Sequence, residues 1–322
     1  VSKPTFLILG APGFAIAPIG SFSSGMGSMG SMRCQILKSV LSCLLVVLTW
    51  IGWCVPAIAA EAPSAPAIES APATTDAAAP DQPSVTDLFN ELNALSDKAM
   101  EATNQGDFPT AEQYWTQIIE RFPQNPAAWS NRGNSRVSQH KLEAAIADFN
   151  KAAELAPNVP DPYINRGTAL EGMGRWEAAI ADYNHALELD PNDPLALNNR
   201  GNAESGLGRW EDAAADFLKA ADLAPNYAFA RANYALALYQ LGQPDAAIRQ
   251  MRNLVRKYPQ FADMRAALTA ALWAQGKHGE AESQWVSAVG LDARYKDINW
   301  VRDVRRWSPA MVAALERFLN LQ

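Results

Sequence analysis

The chain has 322 residues, 48% of them apolar, with 27 basic and 34 acidic side chains and a formal charge of −7. That balance lacks the basic stripe by which nucleic-acid binders are recognised, and the length suits one or two ordinary domains. The three cysteines, Cys34, Cys43 and Cys54, all precede residue 60, and His140, His185 and His278 have no second ligand at metal-binding spacing. Neither a disulfide framework nor a metal or cofactor site is therefore expected in the folded part.

Residues 1–31 include the low-complexity stretch GSFSSGMGSMGSM, in which Met26 and Met29, like Met32 just after it, are possible starts; the working protein is expected to begin near Met32. Residues 32–59 read as a signal peptide. Arg33 and Lys38 form a basic front, Val40 to Val55 an apolar core, and Ala57-Ile58-Ala59 supplies the small residues that a signal peptidase needs. Cleavage is expected before Ala60 or Glu61. The alternative is an uncleaved anchor, but the apolar run falls short of the roughly 20 residues of a spanning helix. Contact with a membrane is thus expected only in transit. Residues 60–83, dominated by Ala and Pro without apolar periodicity, read as a disordered, semi-extended linker.

From residue 84 the pattern changes. Ser84-Val85-Thr86-Asp87 looks like a capping box opening a helix, and a repeat region is expected over 84–295. The triplet Asn-Arg-Gly recurs at 131–133, 165–167 and 199–201, a period of 34 residues. Extending this register defines six blocks: 92–125, 126–159, 160–193, 194–227, 228–261 and 262–295. The eighth position is small in each, at Ala99, Gly133, Gly167, Gly201, Ala235 and Thr269. The twentieth is Ala throughout, from Ala111 to Ala281, and the twenty-fourth is bulky, at Trp115, Phe149, Tyr183, Phe217, Met251 and Trp285. Pro123, Pro157, Pro191, Pro225 and Pro259 close the blocks, Ala293 being the exception. Gly at the fifteenth position marks a turn within each block, with His140 the departure.

Small residues at two fixed places let antiparallel helices approach closely, and the bulky residue fills the gap that remains. Gly167 is thereby explained despite costing a helix about 1 kcal/mol. Trp129, Trp176 and Trp210 are expected in the core by the same reasoning. This period and pattern closely resemble the tetratricopeptide repeat. The resemblance implies an all-α, right-handed superhelical solenoid of six helix-turn-helix repeats with a concave groove lined by the first helices.

A solenoid cannot bury its own end, so residues 296–322 are expected to form capping helices. Trp300, Val304 and Trp307 share one helix face; Ser308 and Pro309 then read as the cap and first residue of a last helix with Met311, Leu315, Phe318 and Leu319 on its apolar side. Arg302, Arg305 and Arg306 form a basic cluster that reads either as solvated charge or as a docking patch.

No phosphate-binding glycine loop, HExxH or GxSxG occurs, and no segment is left to house a catalytic domain. The expected function is non-catalytic: a scaffold for protein or peptide clients, with no small-molecule substrate or nucleic acid. It would act through the groove or, alternatively, through its outer faces. Asparagine occupies the sixth position at Asn131, Asn165, Asn199 and Asn233, and Asn134, Thr168 and Asn202 follow one turn on. By resemblance this run is similar to the asparagine ladder that holds peptide backbones in O-linked N-acetylglucosamine transferases, without their activity. The other use of such amides is hydrogen bonding within and between repeats. The exported leader, the Asn-Arg-Gly repeats and the Arg-Arg-Trp-Ser-Pro tail together also resemble lumenal tetratricopeptide proteins of cyanobacteria and chloroplasts. That implies a periplasmic or thylakoid-lumen location.

Overall fold

The computed structural model describes residues 84–321. The low-complexity start, the signal peptide and the linker lie outside the described residues. What is described is all-helical. In chain order the elements are α1 (Val85–Asn104), α2 (Phe108–Arg121), α3 (Pro126–Ser138), α4 (Leu142–Leu155), α5 (Asp161–Gly172), α6 (Trp176–Leu189) and α7 (Pro194–Gly206). There follow α8 (Trp210–Leu223), α9 (Ala228–Gln240), α10 (Pro244–Lys257), α11 (Ala262–Ala274), α12 (His278–Leu291) and the tail helix α13 (Pro309–Leu319). Each odd-numbered helix from α1 to α11 packs against the even-numbered helix after it, and that one packs against the next pair.

Local chemistry sets the boundaries. Asn125 and Asp193 cap α3 and α7, each carboxyl or amide oxygen accepting two backbone N–H groups, and Pro126 and Pro194 take the first helical position. Between paired helices the chain turns through a left-handed residue, as at Gly174 with φ 71°. His140 adopts the same conformation, at φ 57°.

The small positions work sterically. A Cβ added to Gly133, Gly167 or Gly201 would lie 2.5, 2.6 or 2.7 Å from the ring of Phe149, Tyr183 or Phe217, respectively. Only a residue without a side chain lets those rings fill the helix pair. The first tryptophans of the blocks differ from expectation: Trp129, Trp176 and Trp210 are half-buried, not core. Trp129 lies beneath the Arg132 guanidinium and donates from Nε1 to the Pro123 carbonyl at 2.9 Å, so its indole must reach the edge of the pair. Trp176 rests on Gly206, whose missing Cβ would sit 2.9 Å from the indole.

The tail also departs from expectation. Helix α13 does not close the outer end of the last pair; it lies across the first helices α11 and α9. Met311, Leu315 and Phe318 are fully buried there in one apolar cluster with Leu236, Met264, Leu268 and Leu272. The approach to α13 holds a 3-10 turn at Ala293–Lys296 and a π-helical turn at Trp300–Val304, so the helix expected through Trp307 ends early. Ser308 precedes α13 as anticipated, but its side chain makes no cap bond. Its hydroxyl donates instead to the Leu236 carbonyl at 3.2 Å, because the segment is pressed against α9.

Candidate functional site

Helix α3 touches α5, and α5 touches α7, so the first helices form the inner layer of the stack. Positions five, six and nine of each block share one face of these helices, being three and four residues apart. The three residues of the Asn-Arg-Gly triplet point to different tasks.

The arginines clamp. Arg132 grips Asp148 through Nε and Nη2 at 3.0 and 2.7 Å; Arg166 grips Asp182 at 2.8 and 2.5 Å; Arg200 grips Asp216 at 2.7 and 2.7 Å. The remaining Nη1 reaches back to the preceding repeat, to Thr116, Asn150 and Asn184 in turn. Each guanidinium thus ties its own helix pair together and to the pair before it. A two-pronged guanidinium–carboxylate bond is among the stronger polar contacts available. Sequence reasoning missed these partners, though Asp148, Asp182 and Asp216 recur with the same 34-residue period.

The asparagines stitch backwards along the inner face. Asn165 Nδ2 donates to Ser130 Oγ at 3.4 Å, Asn199 Nδ2 to Thr168 Oγ1 at 3.4 Å, and Asn233 Nδ2 to Asn198 Oδ1 at 3.0 Å and Asn202 Oδ1 at 3.2 Å. Asn198, not singled out from sequence, closes the set by donating to Asn199 Oδ1 at 3.3 Å. Part of the row is unspent. Asn165 is 5% exposed, and its Oδ1 is buried without any hydrogen-bond partner. Asn131 and Asn134 are half-buried, and their side chains bond to no described residue. Four of the expected positions are therefore joined through Asn198 (Thr168 from α5, Asn199 and Asn202 from α7, Asn233 from α9), while Asn165 bonds back to Ser130 on α3, the helix that also carries Asn131 and Asn134.

One turn beyond Thr168 stands Glu171, a carboxyl that sequence reading passed over. Its side chain is 5% exposed. The Tyr183 hydroxyl donates to Oε2 at 3.2 Å, and Arg306 Nη1 approaches Oε1 to 3.6 Å. Burial pushes this carboxyl up, Arg306 and Tyr183 pull it back, and the balance leaves it at about 7. The Arg306 guanidinium also lies over the Trp176 ring, 5.3 Å from its centroid.

The three tail arginines are not brought onto one patch. Arg302 is exposed and bonds Asn299, whereas Arg305 donates to Asp263 Oδ1 at 3.0 Å with 11% of its side chain exposed. Arg306 turns the other way, towards Glu171. Asp263 is the anchor of the segment: the same Oδ1 also accepts from Tyr295 at 2.7 Å and from Trp307 Nε1 at 3.0 Å.

Among the described residues no group of three or more His, Cys, Asp and Glu side chains is placed to hold a metal ion, and no helix is long and apolar enough to cross a membrane. Comparison with known proteins adds the following. Family models described as tetratricopeptide repeats match residues 96–160, 172–205, 194–227 and 234–294, together more than half of the chain. A serine/threonine-protein phosphatase T from Aspergillus oryzae is 36% identical over 62 residues, which is 19% of this chain and only 13% of that protein's length. Among solved structures, the Cut9–Hcn1 hetero-tetramer of APC/C aligns over 71% of this chain and 45% of its own, at 19% identity and a TM-score of 0.57. YrrB, described as a TPR protein with an unusual peptide-binding site, aligns over 56% of this chain and 92% of its own, at 21% identity and a TM-score of 0.46.

Proposed function

This chain belongs to the tetratricopeptide-repeat proteins, and from that premise we propose that it is a non-catalytic scaffold holding a client peptide or protein on the inner face of α3, α5 and α7. The observation that carries this reading is the unspent hydrogen-bonding capacity at the start of that face, the half-buried amides of Asn131 and Asn134, whose side chains bond to no described residue. One side-chain amide donates and accepts at once and so matches a peptide unit. First helices about 8–10 Å apart would meet an extended chain of ~3.3 Å per residue roughly every third residue. On this reading Asn165, Asn199 and Asn233 hold the register of the face, while Asn131 and Asn134 are left to the client.

The client is further proposed to sit in an exported compartment, a periplasm or thylakoid lumen. Support comes from the basic, apolar and Ala-x-Ala sequence between Met32 and Ala59 and from the likeness of the leader, the Asn-Arg-Gly repeats and the tail to lumenal tetratricopeptide sequences. The experiment pairs Asn131→Ala/Asn134→Ala with Asn199→Ala/Asn233→Ala. The first pair should lose a client that the wild-type chain retains from an extract of that compartment, with an unchanged melting temperature. The second should lower the melting temperature, because bonds between repeats are removed. Undiminished retention by the Asn131→Ala/Asn134→Ala chain would overturn the groove reading.

A further inference from the structure

Where the tail crosses the inner face, between Arg305 and Ser308, three of the four side chains bond the last two repeats. Arg305 and Trp307 bond Asp263 on α11, Ser308 bonds the Leu236 carbonyl on α9, and the Ala310 N–H bonds Gln240 Oε1 at 2.8 Å. Arg306 alone reaches away, to Glu171 at the end of α5 and Trp176 at the start of α6. Taking the client-binding reading of the inner face as given, we propose that Glu171, Trp176 and Tyr183 form an arginine-recognition pocket, occupied here by the chain's own Arg306, and that a client segment presenting an arginine takes its place.

The chemistry of the pocket suits a guanidinium. A buried carboxylate supplies charge, and an indole face supplies a cation–π platform, which arginine uses more readily than lysine because it is planar and more weakly hydrated. Tyr183 holds one carboxylate oxygen from within the helix pair, which leaves Oε1 facing the cation.

The resident side chain fills this pocket poorly. At 3.6 Å Arg306 Nη1 is too far from Oε1 for a hydrogen bond, and it is buried without any partner. Arg306 also stands at φ 52°, a left-handed conformation that glycine adopts more readily than arginine. A client arginine, not tethered to the docked tail, can bring a guanidinium N–H to hydrogen-bonding distance of Oε1. Displacing Arg306 does not require undocking the tail, since its neighbours in sequence are held elsewhere. The buried, half-compensated Glu171 carboxyl, at about 7, further marks a site whose present cation is weakly engaged.

The test uses the full chain and a defined probe, acetyl-Gly-Gly-Arg-Gly-Gly-amide, with its Lys and Gln counterparts as controls, titrated by NMR. Arg306→Gly empties the pocket while keeping a residue suited to the left-handed turn. This variant should bind the Arg peptide at least tenfold more tightly than wild type does, and bind it in preference to the Lys and Gln peptides. Adding Glu171→Gln to Arg306→Gly should return affinity to the wild-type level. Equal binding by wild type and Arg306→Gly, binding without preference for Arg, or binding indifferent to Glu171→Gln would each overturn the proposal. Should Arg306→Gly lose helicity, Arg306→Gln carries the same comparison. Failure here with client loss in Asn131→Ala/Asn134→Ala would leave the groove reading standing. A positive probe result with undiminished client retention would leave only the pocket.

Discussion

In the pairs α3–α4, α5–α6 and α7–α8, an arginine on the first helix forks onto an aspartate on the second, and a glycine receives an aromatic ring. In α9–α10 and α11–α12 the equivalent positions are Tyr234 and Leu268 facing Gln250 and Gln284, and no such fork is possible. There Ala235 replaces the glycine opposite Met251, and Thr269 replaces it opposite Trp285. The later pairs instead share one continuous apolar cluster with the tail, running from Ala232 to Phe318. Around the middle pairs the buried apolar residues fall into smaller groups, one of them only Ala145, Phe149 and Ala169. The same 34-residue frame is thus held in two ways. Polar clamps hold it in the middle pairs, and apolar burial holds it where the tail covers the first helices. A solenoid is stabilised largely by nearest-neighbour terms, so these two regions should respond separately to mutation.

The largest expected effect is in the apolar region. Phe318 is fully buried and meets Trp273 and Trp285 edge to face, with ring centroids 5.1 and 5.2 Å away. Phe318→Ala should cost about 3–5 kcal/mol. Hydrogen exchange should quicken through α9 to α13 and remain slow in α3 to α8. A uniform rise along the chain would mean that the two regions unfold as one.

A smaller effect is expected from the polar region. Arg166→Met keeps most of the apolar stem of the side chain but strands Asp182, whose side chain is 9% exposed. Removing one partner of a buried pair is strongly destabilising because the other charge remains, and a cost of about 3 kcal/mol is expected for this partly exposed arginine. The loss should concentrate in α5 and α6 and spread to α4, where Nη1 holds Asn150. Adding Asp182→Leu should recover much of it. A double variant as unstable as the single one would show that the fork contributes through shape and not through charge.

The sequence made the frame legible because sterics leave few choices. Gly167 and Tyr183 are both printed in the repeat, and their contact follows from the period alone. The clamp was harder to read, since Arg166 and Asp182 lie 16 residues apart on different helices, and an exposed-looking arginine has many possible acceptors. The asparagine face was legible as a face but not in its bonding. An amide donates and accepts equally well, so whether it serves Thr168 or a client is decided by distances that no spacing encodes. The tail was legible as a helix with Pro309 at its start and Phe318 on its apolar side. An apolar stripe fits any apolar surface, however, and nothing in the pattern distinguishes the end of α12 from the face of α11. Glu171 was passed over because it has no counterpart at the same position in the other blocks; its burial comes from the meeting of α5, Tyr183 and the tail.

The smallest effect isolates the turn that both regions share. Among the described residues, five of the six turns between paired helices place a glycine in the left-handed region, with φ from 71 to 78°, and His140 stands at the sixth with φ 57°. A Cβ added to any of these five glycines meets nothing within 4 Å, so the preference for glycine is conformational and not steric. His140 is exposed and stands outside the apolar clusters, so replacing it forfeits little. His140→Gly removes a left-handed penalty of roughly 1 kcal/mol, while the added freedom of glycine in the unfolded chain returns about 0.4–1 kcal/mol of it. The net should be a gain of a few tenths of a kcal/mol, a rise of about 1 °C in melting temperature for a folded region of this size. Gly174→Ala, the converse change, should cost about 1 kcal/mol. If His140→Gly instead lowers stability by as much as Gly174→Ala does, the imidazole makes a contribution beyond the turn, and the first clamped pair is held by more than its arginine fork.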